Sequence, residues 1–263
     1  MTSPIPALLG LIAAIVLSGT GVSAESPAAI RVLYDNVARD KQCEADWGFA
    51  CLVTGREKTI LFDSGARGDL LLANFEKMQM RPADVQLVVI SHNHADHTGG
   101  LLPLLEANKN TAVYLPASTP ETLRANVRPN AAGVTEVSQP IEICKGVSVL
   151  GPMGREIIEQ SLVIETKNGL VIVTGCSHPG LIEIAEKAKA QFKRNIQMIV
   201  GGTHLLQHSD EALQGIIDDL KRLEVRKIGA THCSGDKAIA RMRAAFGENF
   251  VEMGVGRVIE IGE

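Results

Sequence analysis

The 263-residue sequence has few aromatic side chains, since tryptophan, tyrosine and phenylalanine together make up 3% of it. Aromatic rings are the usual stacking platforms for single-stranded nucleic acids. The formal net charge is −4 at pH 7, so the chain has no excess of basic residues to neutralise a phosphate backbone. The composition therefore argues against nucleic acid as a partner and favours a small-molecule substrate.

The sequence also lacks a long apolar segment near its start. The apolar stretch from Ala7 to Leu17 is too short to span a bilayer comfortably, but it suits the core of a signal peptide. Residues 1–24 contain no Lys or Arg, which a signal peptide commonly has. Val22 and Ala24 are small residues at positions −3 and −1 of a cleavage site before Glu25.

We therefore predict an export signal over residues 1–24 and a single domain over residues 25–263. The length suits one large domain with a full core. The mature protein would be periplasmic or secreted and would keep no stable membrane span. An uncleaved anchor or a misassigned start codon is the alternative.

The number of cysteines is odd: the chain has Cys43, Cys51, Cys144, Cys176 and Cys233. An exported chain could pair two of them, and Cys43 and Cys51 are the closest in sequence. Cys176 and Cys233 each lie beside a His-bearing segment, so we expect neither to take part in a disulfide.

A dense group of metal-binding side chains occupies residues 91–100, with the sequence Ser-His-Asn-His-Ala-Asp-His-Thr-Gly-Gly. Three of the seven histidines lie here with one aspartate, directly after the apolar run Val85–Ile90. That run is short and β-branched, which is typical of a buried strand. A chance cluster in a polar loop is the alternative, but the density of ligands favours a metal site.

The spacing within this group predicts two neighbouring ions. Side chains two residues apart in an extended segment point the same way, so His92 and His94 can bind one ion. Asp96 and His97 follow where the chain turns, and they are better placed for a second ion. Imidazole and carboxylate suit zinc, and also manganese or iron. We expect Gly99 and Gly100 to let the backbone turn tightly after the ligands.

Three later histidines follow predicted strands in the same way, namely His178, His204 and His232. Ligands of open α/β sheets gather outside the carboxyl ends of the strands. Together with the first group, these residues indicate one shared pocket. His208 is expected to be an exposed residue at the start of a helix.

The H-x-H-x-D-H pattern resembles the signature of the metallo-β-lactamase superfamily, and the resemblance extends over nearly all of the chain after the leader. Within the superfamily, the sequence most resembles the branch of 7,8-dihydropterin-6-methyl-4-(β-D-ribofuranosyl)aminobenzene-5'-phosphate synthase. The segments that carry the resemblance are Leu61–Gly65, Thr174–Gly180, Gly201–Leu205 and Thr231–Gly235. The resemblance implies an α/β fold, a single-domain four-layered αββα sandwich with a metal site on one edge.

We assign His92, His94 and His178 to a first divalent ion and Asp96, His97 and His232 to a second. His178 is the open assignment, because Cys176 occupies a position where relatives carry a Cys or Asp ligand. Cys176 is therefore either a thiolate ligand or a small buried residue that leaves the bond to His178.

Three further positions are expected beside the metal centre. His204 is expected either to line the substrate pocket or to support a ligand from behind. The resemblance implies that Asp63 is buried and braces the metal loop, with a turn-capping role as the alternative. The loop around Trp47 would border the substrate pocket, and related proteins often have histidine at that place. Simple packing of Trp47 is the alternative.

These residues predict a metal-dependent hydrolase, in which two ions activate a water and Asp96 orients it and accepts its proton. The substrate would be an ester, lactone, thioester or phosphoester. A transferase that condenses a dihydropterin with an aminobenzene ribosyl phosphate is the first alternative. A metal-binding sensor without catalytic activity is the second.

Overall fold

The computed structural model describes Met1 and residues 27–262. Apart from Met1, the predicted signal peptide lies outside these described residues, so the export signal and the domain boundary at residue 25 stay predictions. Among the helices of the described residues, none has the length and apolar character needed to cross a bilayer.

Thirteen strands form two sheets in the described chain. They are β1 (Ala29–Tyr34), β2 (Ala50–Thr54), β3 (Ile60–Phe62), β4 (Leu87–Val89), β5 (Ala112–Pro116), β6 (Gly133–Val137), β7 (Ile141–Cys144), β8 (Val147–Val149), β9 (Leu162–Thr166), β10 (Gly169–Thr174), β11 (Ile196–Gly202), β12 (Lys227–Thr231) and β13 (Val258–Glu260).

Seven α-helices accompany these strands in the described residues. They are α1 (Gly68–Lys77), α2 (Ala95–Thr98), α3 (Leu101–Ala107), α4 (Glu121–Val127), α5 (Leu181–Phe192), α6 (Asp210–Arg222) and α7 (Asp236–Phe246).

The order of the strands places parallel segments in both sheets. The first sheet runs β13-β1-β2-β3-β4-β5-β6, and its strands from β3 to β6 are parallel. The second runs β12-β11-β10-β9-β8-β7, and its strands from β10 to β12 are parallel. Parallel neighbours end at the same edge of a sheet, so the loops that follow them meet there.

Apolar side chains divide the fold into four layers. One buried cluster lies between the two sheets and includes Val32, Phe62 and Val173. A second packs α5, α6 and α7 on the outer face of the second sheet. A third packs α1, α3 and α4 on the outer face of the first sheet. The predicted αββα sandwich is therefore confirmed.

Local sequence signals explain several elements. Gly169 begins β10 with φ of +125°, which glycine adopts without strain, and the hairpin pairs it with Thr166 of β9. All six residues of β10 are buried, because helices cover one face of the strand and the first sheet covers the other. Ser209 caps α6 by accepting a hydrogen bond from the Ala212 N–H.

The structure does not contain the disulfide between Cys43 and Cys51 that the sequence left open. All five cysteines are buried free thiols. Cys51 lies in β2 within the apolar layer between the sheets, whereas Cys43 lies in the loop before that strand. Closeness in sequence does not bring two Cβ atoms into bonding geometry.

The two glycines after the predicted metal-binding histidines have a different role from the one expected. Gly99 and Gly100 have φ of −63° and −86°, so neither needs the conformational freedom of glycine. They are needed because another backbone approaches them. A Cβ on Gly99 would lie 1.9 Å from the Ala66 carbonyl oxygen, and one on Gly100 would lie 2.2 Å from that of Ser64.

We expect Gly99→Ala to lower the free energy of unfolding by about 1–3 kcal/mol, because its methyl group would overlap the Ala66 carbonyl. The matched control is Gly215→Ala in α6, where an added Cβ meets no atom within 4 Å. That substitution should raise the stability by about 0.5–1 kcal/mol. Urea unfolding of the two variants measures both effects, and equal stabilities would contradict the close approach.

Candidate metal centre

The predicted ligands lie in loops and turns after the carboxyl ends of three strands, and Asp63 directly follows a fourth strand, β3. β4 leads to the loop that carries His92 and His94 and then to α2. β10 leads to His178, and β12 ends immediately before His232. The two parallel segments of the sandwich thus bring these side chains together at one edge.

His92, His94 and His178 form the first group of ligands. The Nε2 atom of His92 lies 2.9 Å from the Nδ1 atom of His94, and the ring centroid of His178 lies 4.8 and 5.0 Å from their two centroids. Their ligand atoms all lie within 4.8 Å of one another. The Nε2 atom of His178 is buried and has no hydrogen-bond partner. A cation shared by the three imidazoles would satisfy these nitrogens.

Asp96, His97 and His232 form the second group, again with ligand atoms within 4.8 Å of one another. The Oδ2 atom of Asp96 lies 3.2 Å from the Nε2 atom of His232 and 3.8 Å from that of His97. The Nε2 atom of His232 is buried and makes no hydrogen bond. The rings of His92 and His97 lie 4.3 Å apart, so the two groups are adjacent.

Cys176 and His178, which the sequence presented as alternatives for one ligand position, both lie at the centre. The Sγ atom of Cys176 is 3.3 Å from the Nε2 atom of His97, whereas His178 contacts His92 and His94. Cys176 is therefore on the side of the second group, and His178 is on the side of the first.

The remaining two histidines lie outside the two groups described above. The His204 ring is exposed and lies 4.3 Å from the His178 ring, which places it beside the centre as expected for a pocket wall. His208 precedes α6 as expected, but it is half-buried rather than exposed.

Asp63 braces the loop that carries the first histidines, as the resemblance implied. Its fully buried carboxylate accepts hydrogen bonds from the Ser91 N–H at 2.6 Å and the Ser91 hydroxyl at 2.7 Å. The same carboxylate lies 2.7 Å from the Nδ1 atom of His97. The capping alternative is wrong, since the N-cap residue of α1 is Arg67. Asp63 leaves the Nε2 atom of His97 directed at the centre.

Glu159 braces the turn that carries Cys176 and His178, and the sequence did not reveal this role. Its buried carboxylate accepts hydrogen bonds from four consecutive backbone N–H groups, those of Gly175, Cys176, Ser177 and His178, at 2.8–3.1 Å. Burial raises the pKa of Glu159, and the N–H donors oppose that rise. Glu159 lies between Ile158 and Gln160 shortly before β9, and no local pattern there signals this role.

The loop between β1 and β2 braces the second group, and its two polar residues were also missed. The Asn36 Oδ1 atom lies 3.0 Å from the Nδ1 atom of His232, and the Asn36 side chain also donates to the His232 carbonyl. The buried carboxylate of Asp35 accepts a hydrogen bond from the hydroxyl of Thr231. This loop therefore holds the backbone and the ring of His232.

Trp47 lies at the centre, as expected for a residue that borders the pocket, and it is half-exposed rather than packed in the core. Its indole N–H donates to the Oδ2 atom of Asp96 at 2.9 Å, and its ring lies 4.8 Å from that of His232. The backbone after Trp47 is held against the segment of Asp96, because the Phe49 N–H donates to the Asp96 carbonyl. Trp47 thus fixes the orientation of the Asp96 carboxylate.

Backbone strain is concentrated at the centre. Seven described residues other than glycine have positive φ, and four of them belong to the loops of the site: Asp63, Ser177, His204 and His232. The other three directly follow or closely trail helices α1, α5 and α6, where such a conformation commonly ends a helix. Positive φ is costly for residues with a Cβ atom, so tertiary contacts must hold the four residues of the site.

The imidazoles differ in their affinity for protons. Burial lowers the pKa of His92, and neighbouring histidines lower it further; burial and His204 lower the pKa of His178 to about 4. Burial also disfavours protonation of His97, but the nearby Asp63 carboxylate outweighs it and raises the pKa of His97. Burial raises the pKa of Asp96, but its contacts with His232 and His97 outweigh this and lower it overall.

These donors fit divalent cations. Imidazole nitrogens, a carboxylate that stays ionised and a nearby thiol are the ligands that zinc, iron and manganese share. The buried Nε2 atom of His178, which has no hydrogen-bond partner, is the observation that tests the fit. A cation in the group of His92, His94 and His178 would supply that partner.

The chain belongs to the metallo-β-lactamase superfamily, whose family model matches residues 48–232. The matched segment contains all six predicted ligands. Members of this superfamily are mostly enzymes, and they typically use two metal ions.

Within the superfamily, the chain is similar to the 7,8-dihydropterin-6-methyl-4-(β-D-ribofuranosyl)-aminobenzene-5'-phosphate synthase of Methanocaldococcus jannaschii. The two are 28% identical over 251 residues, which cover 78% of this chain and 85% of the relative. A crystal structure of a metal-dependent hydrolase of the β-lactamase superfamily is 30% identical, with a TM-score of 0.77 over 90% of this chain and 100% of that one. YhfI from Bacillus subtilis shares the fold at 16% identity, with a TM-score of 0.66 over 89% of this chain and 100% of that one.

We expect Glu159→Gln to destabilise the protein by about 1–3 kcal/mol, because an amide places a donor against buried N–H groups that need an acceptor. Affinity for the ion on the side of His178 should fall about tenfold to a hundredfold. Thermal unfolding and metal titration measure the two effects. Glu106→Gln, at an exposed position on α3, is the control, and identical behaviour of both variants would remove the bracing role.

Metal binding should depend on pH differently at the two groups, because an imidazole must be neutral to bind a cation. Lowered pKa values keep His92 and His178 neutral into acid, whereas the raised pKa of His97 brings proton competition closer to neutrality. As the pH falls from 7 to 5, affinity on the His97 side should therefore fall more steeply.

Calorimetric titration of metal-free protein with Zn²⁺ at several pH values measures this difference. His97→Ala, which lacks the titrating ring, is expected to bind one ion fewer and to lose the steep component. Two ions whose affinities fall in parallel in the unsubstituted protein would contradict the assignment.

Proposed function

We propose that the protein is a metal-dependent hydrolase that uses two divalent ions at this centre. His92, His94 and His178 hold one ion, and Asp96, His97 and His232 hold the other. The observation that carries the proposal is the convergence of six ligand side chains from separate loops, with the buried Nε2 atom of His178 left without a hydrogen-bond partner. When bound, such a pair of ions lowers the pKa of a water molecule and stabilises the oxyanion formed from the substrate.

The protein's own residues orient the water molecule and accept its proton. The Asp96 carboxylate is held by the Trp47 indole N–H and lies beside His232, which keeps it ionised and directed at the centre. An ionised carboxylate in this position orients the attacking water and accepts its proton. His204 lies outside His178 and forms part of the wall that the substrate meets.

Zinc is the metal we propose first, with manganese or iron as alternatives. Nitrogen-rich sets of ligands with one carboxylate suit zinc, and the nearby Cys176 thiol adds a soft donor. Activity of the metal-free protein reloaded with each metal in turn identifies the working ion.

The proposed substrate is a small molecule with an electrophilic carbonyl or phosphorus centre: an ester, lactone, thioester or phosphoester. The 30%-identical structure of a metal-dependent hydrolase supports hydrolysis as the reaction. A screen of these compounds, with β-lactams included, against zinc-, manganese- and iron-loaded protein tests it. Tight metal binding with no turnover of any of them would favour a metal sensor.

A transferase reaction is the second candidate, because the archaeal relative that covers 78% of this chain is a synthase. The test is incubation of the metal-loaded protein with a dihydropterin diphosphate and an aminobenzene ribosyl phosphate. Release of pyrophosphate together with a condensed product would support the transferase. Hydrolysis of the substrates in the screen without condensation would support the hydrolase.

We expect Asp96→Asn and His92→Ala to lower kcat by about a hundredfold or more while the protein stays folded. The amide cannot accept the proton, and the alanine removes a ligand. His208→Ala is the matched control, because among the described histidines His208 belongs to none of the candidate ligand groups. Rates on the best substrate of the screen and circular dichroism spectra provide the comparison, and full activity of Asp96→Asn would remove this mechanism.

A further inference from the structure

Two cysteines that are far apart in sequence meet beside the centre. Cys176 lies in the turn after β10 and Cys233 in the turn after β12, the two strands that flank β11. The Cys233 thiol donates to the Cys176 carbonyl with a donor–acceptor distance of 3.6 Å. The turns meet above Gly202, where a Cβ atom would lie 2.7 Å from the Sγ atom of Cys233. Only glycine leaves this space for the thiol.

His232 completes a set of three donors with the two thiols. The two Sγ atoms and a ring nitrogen of His232 all lie within 4.8 Å of one another, and all three residues are buried. Asn36 occupies the Nδ1 atom of His232, whereas its buried Nε2 atom has no hydrogen-bond partner.

Two sulfur donors and one nitrogen donor define a chemical class of ligand. Thiolates prefer soft cations such as Cu⁺ and Cd²⁺ and also bind Zn²⁺, whereas Mg²⁺, Ca²⁺ and Mn²⁺ prefer oxygen. We propose that Cys176, Cys233 and His232 form a thiolate-rich subsite for a soft, thiophilic cation. It overlaps the oxygen-containing set of Asp96 and His97, because the two sets share His232 and the Sγ atom of Cys176 lies 3.3 Å from the Nε2 atom of His97.

The shared ligand makes the two sets competitors. A cation held by the thiols takes His232 from the group that also contains Asp96 and His97. A soft cation is therefore expected to displace the second ion of the proposed hydrolase. The subsite itself does not depend on hydrolysis, because its donors are defined by their positions alone.

Cd²⁺ is the probe for this subsite, since its bonds to thiolate give an ultraviolet charge-transfer band. Metal-free protein, kept reduced with a phosphine rather than a thiol, is titrated with Cd²⁺, and the bound ions are observed by ¹¹³Cd NMR. The full chain should give the band and a sulfur-ligated resonance distinct from a resonance with nitrogen and oxygen ligands.

Cys176→Ser and Cys233→Ser should each lower the band by half or more and remove that resonance. Cys144→Ser, at a buried thiol of β7, is the matched control and should leave both unchanged. Cys233→Ala replaces Cys233→Ser if circular dichroism shows that the serine variant does not fold. A full band in the folded Cys233 variant would overturn the proposal, because Cys176 alone would then account for the sulfur ligation.

Asp96→Asn separates this proposal from the proposed hydrolase. The variant should lose turnover but keep the charge-transfer band, since Asp96 is not a donor of the subsite. An unsubstituted protein that hydrolyses nothing but gives the band would leave the subsite standing. Turnover without any band would overturn the subsite and leave the hydrolase standing.

Discussion

The contact between Asp63 and His97 is the constraint on which the arrangement of the centre depends. The carboxylate is fully buried, and a buried charge is stable only where donors surround it. It meets that requirement through the ring of His97 and the two polar groups of Ser91, which lie on the loop after the neighbouring strand. The end of β3 and the loop after β4 are thereby held together, and the Nε2 atom of His97 is left directed inwards.

The same arrangement recurs around the rest of the centre. Glu159 holds the turn of His178 through four N–H groups, and Asn36 holds the ring of His232. The ligand side chains are thus fixed by contacts on the side away from the centre. On the side of the centre, the Nε2 atoms of His178 and His232 have no hydrogen-bond partner. Such an arrangement is stable when a cation supplies the missing interaction, so metal binding and folding are expected to be coupled.

Much of the fold and of the centre followed from local patterns in the sequence. The H-x-H-x-D-H segment after an apolar strand predicted the ligands His92 to His97, because side-chain direction in an extended segment depends on spacing alone. The strand-and-histidine sequence of the second half predicted that His178 and His232 would join them, because parallel strands end at one edge. The αββα sandwich followed from the family resemblance, which the family model confirms.

Tertiary structure alone decided which residues hold those ligands and what lies beside them. Asn36 and His232 are 196 residues apart, so no local pattern could indicate their contact. Glu159 belongs to no local pattern that indicates a role, and only the fold places four backbone N–H groups around it. The meeting of Cys176 and Cys233 above a glycine was likewise hidden. Spacing along the chain determines the direction of neighbouring side chains, whereas contacts between distant residues depend on how the sheets order and pack their strands.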